Sequence, residues 1–425
     1  MLQVNFIRDN FQKACEGLKK RNLFHPESLL QQVLDQDDRR KQVQLERDNL
    51  QAESNAISKE IGMLMKNGKK EEAEKIKTRT AEIKVQVKNL EEEYATCEKE
   101  LTALLYTIPN IPHHSVPPGK AAEDNLIELE HGHMPSLSPN ARLPHWELIK
   151  KYDIVDFELG VKITGAGFPV YKGKGAKLQR GLINFFLDEA ENAGYQEVQP
   201  PILINEESGI ATGQLPDKEG QMYLCGIDGL YLIPTAEDPI TNMNRNEILQ
   251  ENDLPKKNVG FTPCFRREAG NWGAHVRGLN RLHQFDKVEI VQVTTPENSY
   301  PTLEKMSLHV QLLLQKLELP YRILKLCGGD MGFTSALTYD MEVYSAAQER
   351  WLEVSSVSNF ETYQSNRLKL RYKSQDNKMI LAHTLNGSAL ALPRIVAALL
   401  ENNQRENGIK LPDVLKPYLG FDWIS

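Results

Sequence analysis

The sequence predicts an α+β protein in which an antiparallel sheet flanked by helices follows an antiparallel α-helical coiled-coil arm. Residues 27–105 contain heptad-spaced apolar residues, no proline and only two glycines. Residues 145–425 contain neighbouring β-type runs without regular strand–helix alternation. We therefore expect an N-terminal domain over 1–108, a linker rich in proline, glycine and histidine over 109–140, and a larger domain over 141–425.

The predicted arm is a helical hairpin. In its second half, apolar or small residues recur at alternating steps of four and three, namely Ile76, Thr80, Ile83, Val87, Leu90, Tyr94, Cys97, Leu101 and Leu104. In its first half, two columns repeat every seven residues, namely Val43, Leu50, Ile57 and Leu64, and Arg40, Arg47, Ser54 and Ile61. Asn67-Gly68 between them is typical of a tight reversal. Two helices of about 35 residues would make an arm about 50 Å long.

Charge is unevenly distributed along this arm. The whole chain has a net charge of −7, which argues against general coating of nucleic acid. Residues 59–88, however, contain nine basic and five acidic residues, whereas the base of the arm is acidic around Asp37 and Glu92. A basic distal half can bind a phosphate backbone. An ordinary solvated surface on a dimerisation or spacer element is the alternative.

Several classes of protein are excluded. The chain has no run of about 18 apolar residues and no signal-peptide pattern near its start. Its five cysteines are scattered, which supports neither a disulfide framework nor a structural zinc site. Neither a Gly-x-Gly-x-x-Gly nor a Walker pattern is present. We expect a cytoplasmic protein without a membrane partner.

The larger domain shows local patterns of helices and strands. A helix is predicted over 175–194, with Leu178, Leu182, Phe185, Phe186 and Ala190 on one face. Further helices are predicted over 299–317 and 393–404. The predicted strands are 229–234, 259–266, 284–293, 341–344 and 351–355.

Three clusters of charged residues lie within these apolar surroundings. In the first, over 264–270 and 281–289, Arg266 and Glu268 share one face, and Arg281, Phe285 and Glu289 recur every four residues. Guanidinium groups pair with phosphate oxygens and an aromatic ring stacks on a base, so this set suits a nucleoside triphosphate.

The second cluster, over 351–356, places Glu353 and hydroxyl groups on a strand, and such hard oxygen ligands suit phosphate-bound Mg²⁺. The third, over 386–394, has small residues before a helix that begins near Pro393, with Arg394 at its anion-binding end. Taken singly, each cluster could also be a surface ion pair or an ordinary helix start.

These segments resemble the signature motifs of class II aminoacyl-tRNA synthetases. Residues 265–268 with Arg281 and Phe285 resemble motif 2, residues 387–394 motif 3, and residues 194–201 motif 1. Together with the hairpin, four further segments make the whole chain similar to seryl-tRNA synthetases of the bacterial type, namely 234–237, 277–278, 283–289 and 384–388.

The resemblance implies a class II synthetase-type sheet and a homodimer with Pro201 at the dimer interface. It implies ATP-dependent ligation of L-serine to tRNA(Ser) through seryl-adenylate, with tRNA(Sec) as a further substrate left open. ATP and Mg²⁺ are the implied cofactors, no structural zinc is expected, and no DNA partner is expected. The arm would bind the long variable arm and elbow of the tRNA.

The resemblance also assigns site residues. Arg266, Glu353 and Arg394 would be catalytic, with Arg266 on the α-phosphate and Arg394 on the γ-phosphate. ATP would contact Arg266, Arg267, Glu268, Arg281, Leu282, Phe285, Glu353, Val354, Ser355, Ser356 and Arg394. Glu353 and Ser356 would hold Mg²⁺. Serine would contact Thr235, Ala236, Glu237, Glu289 and Ser388, with its amine on Glu237 and Thr235 and its hydroxyl on Glu289.

The chain departs from the usual motifs at three positions. Ala389 and Pro393 replace two glycines of motif 3, and Arg267 stands where serine is common in motif 2. We expect Ala389 to add a methyl group beside the substrate and Pro393 to fit a first helical turn. Two rivals remain: a catalytically silent paralogue that binds tRNA, and a ligase for another amino acid or carrier.

Overall fold

The computed structural model describes residues 1–139, 141–217, 219–268 and 277–425. These residues divide into two compact units, one formed by Met1–Lys19 with Leu23–Pro109 and one by Lys20–Asn22 with Asn110–Ser425. The helices of the first unit are α1 (Val4–Asp9), α2 (Phe11–Lys20), α3 (Pro26–Lys66) and α4 (Lys70–Tyr106).

Helices α3 and α4 form the predicted hairpin. They reverse at Asn67-Gly68, where Gly68 has φ +76°, a conformation that glycine adopts without strain. Every residue of the predicted seam is buried or half-buried, and Ile83 is completely buried. The coiled-coil prediction is therefore confirmed, because local apolar periodicity is sufficient to orient both helices.

A buried carboxylate holds the base of this hairpin. The side chain of Asp37 is only 3% exposed and lies 3.0 Å from Arg8, 2.9 Å from Arg40 and 2.7 Å from Lys41. These three cations compensate for the loss of hydration of the carboxylate, and they depress the pKa of Asp37 even though its burial acts in the opposite direction. These ion pairs of Asp37 thus stabilise the base of the arm.

The second unit combines helices with a large sheet. Its described helices are α5 (His145–Lys151), α6 (Phe157–Ile163), α7 (Gly173–Asn192), α8 (Glu206–Thr212), α9 (Glu237–Asn242), α10 (Ser299–Lys316), α11 (Thr362–Leu368), α12 (Leu392–Asn402) and α13 (Lys416–Leu419). Its described strands are β1 (Leu126–His131), β2 (Val155–Asp156), β3 (Val170–Tyr171), β4 (Gln196–Glu197), β5 (Leu203–Ile204), β6 (Tyr223–Cys225), β7 (Leu230–Leu232), β8 (Ile248–Gln250), β9 (Lys256–Phe265), β10 (Gln284–Thr294), β11 (Tyr321–Lys325), β12 (Leu337–Ser345), β13 (Arg350–Glu361), β14 (Arg371–Lys373), β15 (Met379–Leu381), β16 (His383–Ala391), β17 (Gln404–Arg405), β18 (Gly408–Lys410) and β19 (Trp423–Ile424).

The main sheet contains eight strands within the described residues, in the order β1-β11-β12-β13-β16-β10-β9-β4. Its neighbours pair antiparallel, except that β4 runs parallel to β9. Helices α7, α10 and α12 contribute apolar residues to the same core as the strands, and the predicted face of α7 is buried as expected. The predicted class of antiparallel sheet with flanking helices is confirmed.

Several strands lie where the sequence predicts none, and β1 and β16 are two of them. β1 falls inside the predicted linker 109–140 and forms an edge of the sheet, although all its residues are exposed. β16 is central and almost wholly buried, yet its small and polar residues suggest a loop before a helix. Pairing with neighbouring strands, which a single sequence does not reveal, makes both segments extended.

In the described part of the chain, no helix is both long enough and apolar enough to cross a membrane.

Candidate active site

A cavity of about 590 Å³ lies against one face of β10, β12, β13 and β16. Alternate residues of β10, namely Phe285, Lys287 and Glu289, line it, while Val288 and Ile290 on the other face of the strand are fully buried in the apolar core. This is the two-residue periodicity of a strand with one face on a core and one on a polar site. The sheet therefore presents a row of functional side chains to one space.

Most of the residues assigned from the motifs line this single cavity. They are Thr235, Glu237, Arg266, Glu268, Arg281, Leu282, Phe285, Glu289, Glu353, Val354, Ser355, Ser356, Ser388 and Arg394.

The arginines of the first cluster already have partners. The guanidinium carbon of Arg266 lies 5.2 Å from the centroid of the Phe285 ring. Arg281 donates from Nε to a carboxylate oxygen of Glu268, whose side chain is only 11% exposed. A cation over an aromatic face and a carboxylate–guanidinium pair give this part of the cavity a base-stacking platform and phosphate-binding groups.

Arg394 is oriented by main-chain atoms. It lies in the first turn of α12, directly after Pro393, which occupies the first turn as predicted. Its Nε donates to the carbonyl of Asn280 at 3.0 Å, and its Nη1 donates to the carbonyl of Glu353 at 2.6 Å. The guanidinium lies at the cavity wall with donors left over for an anion.

The second cluster supplies hard oxygen atoms. Glu353 and Ser356 line the cavity, and Ser356 Oγ donates to Asp340 Oδ1 at 2.5 Å. Burial, reinforced by Glu353, raises the pKa of Asp340 well above its usual range. One carboxylate and one hydroxyl fit Mg²⁺, which usually takes one or two protein ligands together with phosphate oxygens. No group of three or more His, Cys, Asp or Glu with metal-binding geometry occurs among the described residues.

Lys287 is a site residue that the sequence reasoning missed. Its side chain is 7% exposed, and its Nζ lies 2.8 Å from Thr235 Oγ1 and 2.7 Å from Glu289 Oε2. Glu289 Oε2 also accepts from Ser388 Oγ at 3.2 Å. A spacing of four residues links Phe285 to Glu289 and passes over Lys287, whereas the two-residue period of a strand includes it.

Glu237 lies beside this group. Gln364 Nε2 donates to Glu237 Oε1 at 2.6 Å, and Gln364 Oε1 accepts from Thr384 Oγ1 at 2.7 Å. Burial and the neighbouring Glu289 carboxylate raise the pKa of Glu237 to about 7. Its neighbour Asp238 is completely buried, and burial raises the pKa of Asp238 too. A cation that binds beside Glu237 in the cavity would stabilise the ionised form of this carboxyl group.

This shift predicts a stability that depends on pH. The pKa of Glu237 is raised from 4.5 to about 7, so the folded state retains a proton that the unfolded chain has released. The free energy of unfolding should therefore fall as the pH rises from about 4.5 through about 7. Thermal unfolding from pH 5 to 8 checks this, and Glu237→Gln should flatten the decline. Coinciding profiles for the two proteins would contradict it.

Four positions named from the sequence do not line this cavity, and for Ala389 the structure corrects the expected place of its methyl group. The methyl of Ala236 packs with Ile240 and Val291, and Ala389 is fully buried in the apolar core rather than beside the cavity. Arg267 Nη1 donates to the Gly220 carbonyl at 3.2 Å. Pro201 is exposed between β4 and β5. Residues 269–270 of the first cluster lie outside the described residues.

Comparisons with known proteins agree along the whole chain. Residues 1–112 match the family model of the seryl-tRNA synthetase N-terminal domain, and residues 223–403 match that of the tRNA synthetase class II core domain (G, H, P, S and T). Over 423 residues the chain is 49% identical to the serine–tRNA ligase of Salinibacter ruber, covering 99% of this chain and 98% of that one.

Two solved structures share the fold. The seryl-tRNA synthetase from Pyrococcus horikoshii complexed with ATP has a TM-score of 0.92 at 33% identity, covering 100% of this chain and 99% of that one. The cytoplasmic serine–tRNA ligase from Naegleria fowleri in complex with AMP has a TM-score of 0.87 at 27% identity, covering 100% of this chain and 99% of the other.

Proposed function

The chain belongs to the seryl-tRNA synthetase family, and we propose that its cavity makes seryl-adenylate from L-serine and ATP and then transfers the seryl group to tRNA(Ser). One observation carries the proposal. Phosphate-binding guanidinium groups, an aromatic platform and carboxylates suited to an ammonium and a hydroxyl line the same cavity.

In the first step a carboxylate oxygen of serine attacks the α-phosphorus of ATP, and the bond to pyrophosphate breaks. Arg266 holds the α-phosphate, and Arg281 and Arg394 neutralise charge on the leaving pyrophosphate. Glu268 receives the adenine amino group and Phe285 stacks on the ring. Such phosphoryl chemistry depends mainly on positioning and on stabilising developing charge.

Glu353 and Ser356 would hold Mg²⁺. When bound, Mg²⁺ would neutralise the negative charge of the phosphates. The hydrogen bond from Ser356 to Asp340 turns the serine hydroxyl proton away and leaves the oxygen lone pairs for a cation.

Serine is selected by its ammonium and its hydroxyl. Glu237 and Thr235 receive the ammonium, and Glu289 with Ser388 receives the hydroxyl. Lys287 Nζ pairs with Glu289 Oε2 and holds that oxygen in place. Alanine would leave buried polar groups without a partner and is rejected strongly, whereas threonine is excluded by the shape of the pocket around its extra methyl.

In the second step a hydroxyl of the 3′-terminal ribose of tRNA attacks the seryl carbonyl carbon, and AMP leaves. The arm binds the tRNA by its shape and phosphates, reaching it across a homodimer in which Pro201 lies at the interface. The reaction takes place in the cytoplasm. Charging assays with tRNA(Sec) test the further substrate that the family resemblance leaves open.

The decisive experiment is ATP–pyrophosphate exchange measured in parallel with serine, threonine and alanine. Exchange with serine and little with the other two is the expected result. Exchange with none of the three would favour a silent paralogue that binds tRNA. Exchange only with another amino acid would favour the second rival.

The arm predicts a separable effect. The Arg79–Glu53 and Arg39–Glu93 ion pairs place these residues opposite each other in the hairpin, so residues 53–79 can be replaced by an Asn-Gly turn that shortens both helices to the same level. This variant should keep serine-dependent exchange and lose tRNA charging, because seven of the nine distal basic residues are removed.

A charge-only variant separates electrostatics from length. Replacing the exposed Lys66, Lys70 and Lys75 by glutamine should weaken tRNA binding and reduce its salt slope by roughly 0.7–0.9 per lost phosphate contact. Lys13→Gln with Lys99→Gln, both exposed in the same unit, is the matched control. Unaltered tRNA charging by the variant with the shortened arm would refute the proposed role of the arm in tRNA binding.

A further inference from the structure

A buried hydrogen-bond network lies behind the cavity. It connects α12 to the turn at 278–280, and both contribute residues to the cavity wall. It centres on His145, the first residue of α5, and Glu401, near the end of α12, both of which are 0% exposed. Glu401 Oε1 lies 2.7 Å from His145 Nδ1 and accepts the main-chain N–H of His145 at 2.8 Å. None of the sequence motifs includes this pair.

The hydrogen bonds define the protonation of the pair. The main-chain N–H of Leu279 donates to His145 Nε2 at 2.8 Å, so Nε2 carries no proton and the proton is on Nδ1, which donates to Glu401. Glu401 also accepts from Ser345 Oγ and from Gln348 Nε2. Both oxygens of Glu401 are therefore held by hydrogen bonds, and His145 connects Glu401 to the turn at 278–280.

This turn is fixed to the network at two further points. Gly278 has φ +69°, and a Cβ atom there would come within 2.3 Å of His145 Nε2, so the imidazole ring packs directly on the glycine. Asn280 Nδ2 donates to Gln348 Oε1 at 2.9 Å, and Gln348 in turn donates to Glu401. These buried side chains therefore fix the position of the main chain at 278–280.

The turn at 278–280 orients the guanidinium group of Arg394. The carbonyl of Asn280 accepts from Arg394 Nε at 3.0 Å, and the second partner of the guanidinium is also a main-chain carbonyl. The Glu353 carboxylate lies farther away, 3.8 Å from Arg394 Nη1, so the two main-chain carbonyls supply the hydrogen bonds that position the guanidinium. A long arginine side chain that loses such a partner regains rotamer freedom.

We propose that His145 and Glu401 are positioning residues that act through the 278–280 turn to preorganise Arg394 for the terminal phosphates of ATP. The role of Arg394 in this statement rests on the proposed function. Neither residue touches the substrate, since neither lines the cavity formed by the described residues.

Direct binding of ATP and of AMP tests the proposal without any amino acid present. AMP lacks the phosphates that Arg394 would hold, so His145→Asn and Glu401→Gln should each weaken ATP binding about tenfold while changing AMP binding less than twofold. His309→Asn removes another buried imidazole that does not line the cavity and should change neither affinity. Isothermal titration calorimetry gives all of these values.

Combination with Arg394→Ala provides the second readout. If His145 acts through Arg394, the double variant should bind ATP no more weakly than Arg394→Ala alone. Should His145→Asn fail to fold, Gln348→Leu tests the same path, because it removes the link from Glu401 to Asn280 and keeps both hydrogen bonds between His145 and Glu401. Additive losses, or equal losses for ATP and AMP, would overturn the proposal.

The outcomes also separate this inference from the proposed function. A wild-type protein that binds ATP but supports exchange with no amino acid would contradict the proposed function and leave the network intact. Unaltered ATP binding by Arg394→Ala would remove Arg394 from the phosphate site, and the positioning role of His145 with it.

Discussion

Lys287→Met is expected to lower serine-dependent ATP–pyrophosphate exchange by about 10²- to 10³-fold. The lysine is the cation beside Glu289, and the side chains of both are under 10% exposed. Removing one partner of a buried pair typically costs about 3–5 kcal/mol, because an uncompensated charge remains in the interior. Thr235 Oγ1 loses one of its two hydrogen-bond donors in the same substitution and keeps the main-chain N–H of Glu237.

The loss should appear mainly in the KM for serine, with the KM for ATP changed little, since Lys287 contacts the groups assigned to the amino acid. Lys287→Arg keeps the charge and should retain part of the activity. Lys256→Met is the matched control, because Lys256 is half-buried at the start of the neighbouring strand β9 and does not line the cavity. An unchanged serine KM in Lys287→Met would remove Lys287 from the site.

Arg394→Ala is expected to lose most of the exchange activity, by about 10²-fold or more, while tRNA binding persists. The guanidinium lies at the cavity wall in the first turn of α12, where a cation can neutralise charge on the leaving pyrophosphate. Removing one preorganised group that stabilises developing charge typically costs 10²- to 10³-fold in rate.

Exchange and tRNA binding are measured on the same preparations. Arg405→Ala, which removes an exposed arginine outside the cavity, should leave both unchanged. Exchange retained by Arg394→Ala would exclude this arginine from the phosphate site. Loss of tRNA binding together with exchange would instead indicate that the substitution disturbs the whole protein.

The coiled-coil arm was predictable almost to the residue because its information is local. Its seam repeats within each helix, and its reversal needs only Asn67-Gly68, so neither feature depends on distant parts of the chain. Helices α7 and α10 and strands β9 and β10 were found for the same reason. The family was likewise recognisable from short motifs, and the full-length similarity confirms that resemblance.

The strands β1 and β16 were not predictable from their own residues. β1 has no buried face, and β16 consists mostly of small and polar residues, so neither carries the alternation that marks a strand. Both are extended because a neighbouring strand supplies hydrogen-bond partners. For this reason the expectation that the Ala389 methyl lies beside the substrate was wrong, because only the strand shows that this methyl points into the core.

By itself, the sequence determined which charged and aromatic side chains this protein can offer to a nucleotide and an amino acid, because those residues occur in recognisable short segments. The tertiary structure decided which of them act together. Lys287 reaches Thr235 across 52 positions, and Ser388 reaches Glu289 across 99. Such contacts follow from strand register and helix packing, and these depend on the free energy of the whole fold rather than on any local pattern.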